Sequence, residues 1–140
     1  MRTRIGLLRS LVELLGIVLI RFRPVQRIWG TWLIAVNGAC LVFITHIEAQ
    51  VALAAVGAAV LAQALIYQRK CFIRLLGVTH IIWVPMLAWM VLRLDAPAEG
   101  DTAFHVWLIT IIATNTISLA IDAWDATRFL LGERMPHYVW

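Results

Sequence analysis

The side chains in this chain that can do chemistry are few, and the densest group of them follows helical spacing. Asn115, Ser118, Asp122 and Asp125 recur at steps of three and four residues, so on an α-helix they share one narrow arc. Arg128 follows Asp125 by three residues, within helical pairing reach. The inner part of this stripe, Ser118, Asp122, Asp125 and Arg128, has the chemistry of a proton relay. The plainer account is a solvated, structural helix edge at a membrane boundary. His80 is the most deeply placed titratable group. Counted at about 1.5 Å per residue from the inner ends of their apolar runs, His80, Gln63 and Asn115 fall at one depth, with Asn37 as a fourth candidate. Such a cluster of imidazole and amides either fixes helix register by hydrogen bonding or lines a small site for a ligand or proton. Pro85 removes the donor that the Ile81 carbonyl would use, which predicts a kink beside His80.

A third group lies at the opposite end of the runs. His46, Glu48 and His105 have ligand-capable side chains at matching depth, and a histidine there could serve as a haem ligand. The supporting patterns are missing: there is no HExxH, no CxxCH and no second carboxylate at fixed spacing. The sequence therefore predicts no metal and names no cofactor. Haem or quinone held between helices stays open as a redox alternative. A Gly-rich phosphate loop, a nucleophile elbow and a paired-carboxylate hydrolase motif are also missing, so no catalytic residue is assigned.

The elements that must position these groups are set by composition. The chain has 140 residues, 62% hydrophobic and 14% charged, with a mean hydropathy of +0.86, against about 45–50% apolar and about 25% charged in soluble domains. This is the composition of an integral membrane protein. Its basic residues form short groups between apolar runs and make no continuous stripe, so nucleic acid is not an expected partner. Cys40 lies in an apolar run and Cys71 in a basic connector, at different depths, which supports neither a disulfide nor a thiolate metal site. The N-terminus begins like a secretory signal, but Arg9 and Glu13 interrupt its apolar stretch and no small-residue cleavage site follows, so it is expected to be retained.

A hydrocarbon core about 30 Å thick needs about 20 apolar residues per helix. That ruler gives four spans, at about 28–45, 51–67, 72–92 and 103–121. The expected fold is an all-α integral membrane protein, a four-transmembrane-helix bundle of two antiparallel hairpins. The chain must turn near His46 to Gln50, and Pro97, Gly100 and the acids around them make a polar loop between the last two spans. Residues 1–23 form a separate amphipathic helix, with Arg2, Gly6, Arg9, Ser10, Glu13 and Gly16 on one face and leucines on the other. It suits the inner interface. The rival, a fifth span, would bury Arg9. Pro24 divides it from the bundle domain, 24–131, whose last helix runs on into the cytoplasm. Gly132 caps that helix, Pro136 prevents its resumption, and 132–140 is a short aromatic tail. The second span is rich in alanine and is expected at the bundle centre, where small side chains let backbones approach closely.

Of the 12 Lys and Arg residues, only Arg93 falls on the far side of the spans. Positive flanks resist translocation, so both termini are expected in the cytoplasm of a bacterial inner membrane. Trp29, Trp32, Trp89, Trp107 and Trp124 then fall near the two interfaces. With no soluble domain and no cofactor motif, the first functional reading is a non-catalytic accessory or assembly subunit of a larger membrane complex. Its partners would be the lipid bilayer and other membrane-protein subunits, or further copies of itself. The alternative is a small oligomeric proton-coupled transporter using His80 with Asp122 and Asp125. The redox module is the third.

Overall fold

The computed structural model describes residues 6–70, 74–95 and 101–133. Arg2, Arg4, Cys71, Pro97, Gly100, Pro136 and the aromatic tail lie outside the described residues. All regular elements described are helical. Two of them, Ile47–Arg69 and Thr102–Leu130, are long and apolar enough to cross a membrane, and Leu76–Leu92 is a shorter apolar helical stretch.

Helix α1, Leu7–Gly16, runs into a π-helical turn, Ile17–Arg21, closed by the Phe22 N–H donating to the Ile17 carbonyl at 2.9 Å. Arg23 is extended and Pro24 opens α2, Pro24–Gly38, in the first turn where a missing N–H costs nothing. A 3-10 turn, Ala39–Leu41, and a short reversal lead into α3, Ile47–Lys70. The reversal, at residues 42–46, comes earlier than the expected His46 to Gln50, since Ile47–Gln50 already form the first turn of α3.

The third apolar run is not a single α-helix. A 3-10 helix, Arg74–Ile82, passes into α4, Trp83–Leu92. Pro85 explains the position of the change. With 3-10 bonding the Ile81 carbonyl can use the Val84 N–H, and with α bonding the Ile82 carbonyl can use the Met86 N–H, so neither needs the donor proline lacks. In place of a kink in one helix type, the chain switches type.

The last helix, α5, Thr102–Leu130, is capped at both ends by its own sequence. The Asp101 carboxylate accepts from the Phe104 N–H at 3.0 Å. At the other end Gly132 takes φ +104°; its N–H donates to Phe129 and that of Glu133 to Arg128, the paired bonds of a Schellman cap.

The elements pack around two clusters. The larger joins Val36, Cys40, the buried alanines of α3, Trp83, Met86, Met90, Phe104, Trp107, Leu108 and Ile111. The smaller, of Leu14, Ala64 and Leu76, lies toward the other end. Helix α3 meets α1, α2, α4 and both 3-10 segments, and Ala49, Ala52, Ala55, Ala59 and Ala64 are buried there. Small side chains thus make α3 the hub of the bundle. Helix α1 turns Ser10, Leu14 and Ile17 inward and leaves Leu8, Val12, Leu15 and Leu19 exposed along its outer side. Its polar residues are tied to each other and to α3: Arg9 Nε donates to Glu13 at 2.8 Å and Tyr67 Oη donates to Glu13 at 2.9 Å. Those two bonds, the Arg9 bond first, hold the Glu13 carboxyl below its ordinary range.

Candidate functional site

The centre of the site is His80, on the 3-10 helix. Its ring is engaged at both nitrogens. Nδ1 lies 2.7 Å from Asp122 Oδ2 of α5, and Nε2 lies 2.9 Å from Gln63 Nε2 of α3. A carboxylate can only accept, so Nδ1 carries a proton; the Gln63 amide N–H then donates to an unprotonated Nε2. If Nε2 also takes a proton, a half-turn of the Gln63 amide presents its oxygen as acceptor. Gln63 can therefore serve both protonation states of the imidazole. The pair is largely enclosed, with side chains 13% exposed for His80 and 19% for Asp122. The Trp83 ring stacks on His80 at 4.0 Å between centroids and 17° between planes. The buried indole N–H of Trp83 meets no hydrogen-bond partner among the described residues, so its ring contributes packing.

Helical type makes this arrangement. At three residues per turn, positions i and i+3 eclipse, so Gly77, His80 and Trp83 form one row. His80 is six residues into the segment, about 12 Å at about 2.0 Å per residue. Asp122 is eight residues before the end of α5, also about 12 Å at about 1.5 Å per residue. The two side chains meet because these depths match. An α5 ending at Ile121 would have put Asn115 in that place, and its continuation to Leu130 shifts the register by about two turns.

The expected four-member cluster is thus two pairs. His80 joins Gln63 as anticipated, while Asn37 and Asn115 face each other farther along α5. Each amide nitrogen donates to the other's oxygen at 2.9 Å, and Asn37 also donates to the Leu33 carbonyl. Next to them Trp32 Nε1 donates to Thr114 Oγ1 at 3.1 Å and Trp107 Nε1 to the Val36 carbonyl at 3.0 Å. These bonds fasten α2 to α5. Ser118 is buried between the two pairs along the same face of α5, so the helix carries a polar column of buried Asn115 and Ser118 ending at the half-buried Asp122. Asp125 is half-buried one turn farther on, and Arg128 is drawn past it to Glu133, 2.5 Å away across the helix cap.

At the opposite end the three candidate ligands disperse. His46 Nε2 lies 3.0 Å from Asp101 Oδ2, and its ring stacks on Phe104 at 3.7 Å. Buried Glu48 accepts from Arg93 Nε at 2.7 Å, while the Arg93 guanidinium lies over the Trp89 ring. His105 is half-buried in the first turn of α5. Among the described residues no three metal-ligating side chains come together.

The chain matches no protein-family model, no curated protein and no solved structure. Functional inference therefore rests on this geometry. The sequence reading missed Gly77, Trp83, Asp101 and Arg93. A three-residue period, Gly77, His80, Trp83, was the available signal for the first two.

Proposed function

We propose that this chain is a four-span protein of the bacterial inner membrane, built around a proton-binding centre and acting as a small proton-coupled carrier. The contact between His80 and Asp122 carries this reading. Ionisable side chains are expensive in an apolar bundle, and where they are placed against each other there, proton or ion handling is the default hypothesis.

Lengths support the four spans. The 3-10 helix plus α4 rises about 33 Å, and α2 with its 3-10 turn about 28 Å, against a hydrocarbon core of about 30 Å. Large apolar side chains stay exposed on every long element, among them Val25, Ile28, Leu65, Ile81, Val84, Leu92, Val106 and Ile117, which lipid would cover. The distribution of basic residues favours cytoplasmic termini. Helix α1 touches the bundle near the inner ends of its neighbours, Leu14 against Ala64 and Val18 against Gly30, which fits an interfacial helix better than a fifth span.

In this frame His80, held by its Nδ1–H to the Asp122 carboxylate, takes up and releases a proton at Nε2, where Gln63 turns its amide to meet either state of the ring. Met90, Leu108 and Ile111, fully buried, separate the centre from the outer end. Release outward then requires movement, and the 3-10 helix is the segment suited to it, since a long run of this geometry often marks a hinge. Four helices enclose little volume, so the carrier is read as an oligomer of this chain. The test is proton flux in liposomes loaded with a pH-sensitive dye. Wild type should move protons down an imposed gradient and His80→Ala should not. If wild type moves none, and His80→Ala is indistinguishable from it, the carrier reading fails.

The second reading is an accessory subunit of a larger membrane complex. It is favoured by the closed pairing of Asn37 with Asn115 and the bonds that lock α2 to α5, which suit a rigid scaffold. Stoichiometric copurification of other membrane proteins in mild detergent would support it. A haem held by His80 draws less support, because both ring nitrogens of that histidine are already engaged.

A further inference from the structure

We infer that Gly77 is a positioning residue for the His80–Asp122 pair, the notch in the 3-10 helix that admits the Asp122 carboxylate; this rests on the reading of that pair as the proton-binding centre. A Cβ placed on Gly77 would collide with Asp122 Oδ1 and would sit 2.7 Å from its Cγ and 3.3 Å from its Cβ. The collision involves the whole of a short side chain, so no small rotation relieves it. Asp122 is fixed to α5 by its own Cβ, and a methyl group on residue 77 must push either the carboxylate off His80 or the two helices apart.

The geometry singles out this position. Gly77 precedes His80 by one 3-10 turn, so the two face α5 from the same row. The carboxylate can thus lie against the backbone at Gly77 with one oxygen while the other accepts from His80 Nδ1. No other described glycine lies against a charged group: a Cβ on Gly30 would meet the apolar Val18 side chain, and Gly57, on α3, and Gly38, at the end of α2, would meet nothing within 4 Å. A glycine chosen only to loosen the helix would not need to sit under a carboxylate.

The test combines Gly77→Ala with Asp122→Ala in the full chain reconstituted in lipid. The readout is the ¹⁵N signature of the His80 Nδ1–H hydrogen bond by solid-state NMR, followed by proton flux. Gly77→Ala should abolish the hydrogen-bonded Nδ1 signal, as Asp122→Ala does, and reduce flux at least tenfold. Gly57→Ala should leave both readouts at wild-type values. In the Asp122→Ala background the added methyl meets no carboxylate, so the double variant should match Asp122→Ala in signature and thermal stability. A wild-type His80 signature in Gly77→Ala, or a double variant whose losses sum those of the two singles, would overturn the assignment. The NMR readout does not depend on transport: if wild type carries no protons but Gly77→Ala still strips the Nδ1 bond, the carrier reading falls and the positioning role stands.

Discussion

Among the described residues two histidine–aspartate pairs share nearly identical chemistry. His80 lies 2.7 Å from Asp122 and stacks on Trp83; His46 lies 3.0 Å from Asp101 and stacks on Phe104. The pair at His80 is clamped by three separate elements and is 13% and 19% exposed, whereas the pair at His46 sits where a reversal meets a helix start and is 29% and 39% exposed. Asp101 is also occupied in capping α5. Enclosure, not residue type, makes one a candidate proton site and the other a fastening between ends. In a low-dielectric setting a paired carboxylate has no water to replace a lost partner, while a surface pair loses little.

Breaking the pairs in turn tests that contrast. Asp122→Ala should have the largest effect, since it strips the largely enclosed His80 Nδ1–H of its acceptor; a loss of about 1–3 kcal/mol is expected for such an orphaned group, read as a lowered unfolding midpoint in detergent together with loss of proton flux. Asn37→Ala should follow, stripping the buried Asn115 amide of both bonds it makes to Asn37 at a cost of about 1–2 kcal/mol. Replacing both asparagines by leucine should recover much of that stability, because no polar group is then stranded. Equal stability of the single and double variants would show that the amide pair does not lock the seam between α2 and α5. Asp101→Asn should cost under about 1 kcal/mol and become undetectable in high salt. An effect equal to that of Asp122→Ala would erase the distinction between the two pairs.

The smallest effect concerns α1. Arg9 and Tyr67 hold the Glu13 carboxyl below its unfolded value. The stabilisation is therefore complete above the ordinary carboxylate range and is lost as pH falls through the lowered folded value. Hydrogen exchange in α1 should rise on acidification through that window, and Glu13→Gln should remove the pH dependence while leaving the His80 signature intact.

Much of this architecture was legible in the letters. Hydrophobic run length required a reversal between the first two runs, though it placed it a few residues late, while Pro24 marked the start of α2 and Gly132 the end of α5, because those two depend on backbone chemistry acting within a few residues. The alanine density of the second run anticipated its central packing. The site was only half legible. His80 with Gln63, and Asn37 with Asn115, were on the page as polar residues, but their assignment to separate partners was not.

What the sequence determined by itself was where helices begin and end and which residues are too polar to face an apolar environment, both consequences of local bonding and solvation. Which polar residue meets which was decided by tertiary structure alone. Nine residues wound as a 3-10 helix change both rise and facing, and a glycine leaves room for a carboxylate. Each shifts depth or direction by an amount comparable to a helical turn, and a hydrogen bond tolerates far less than that.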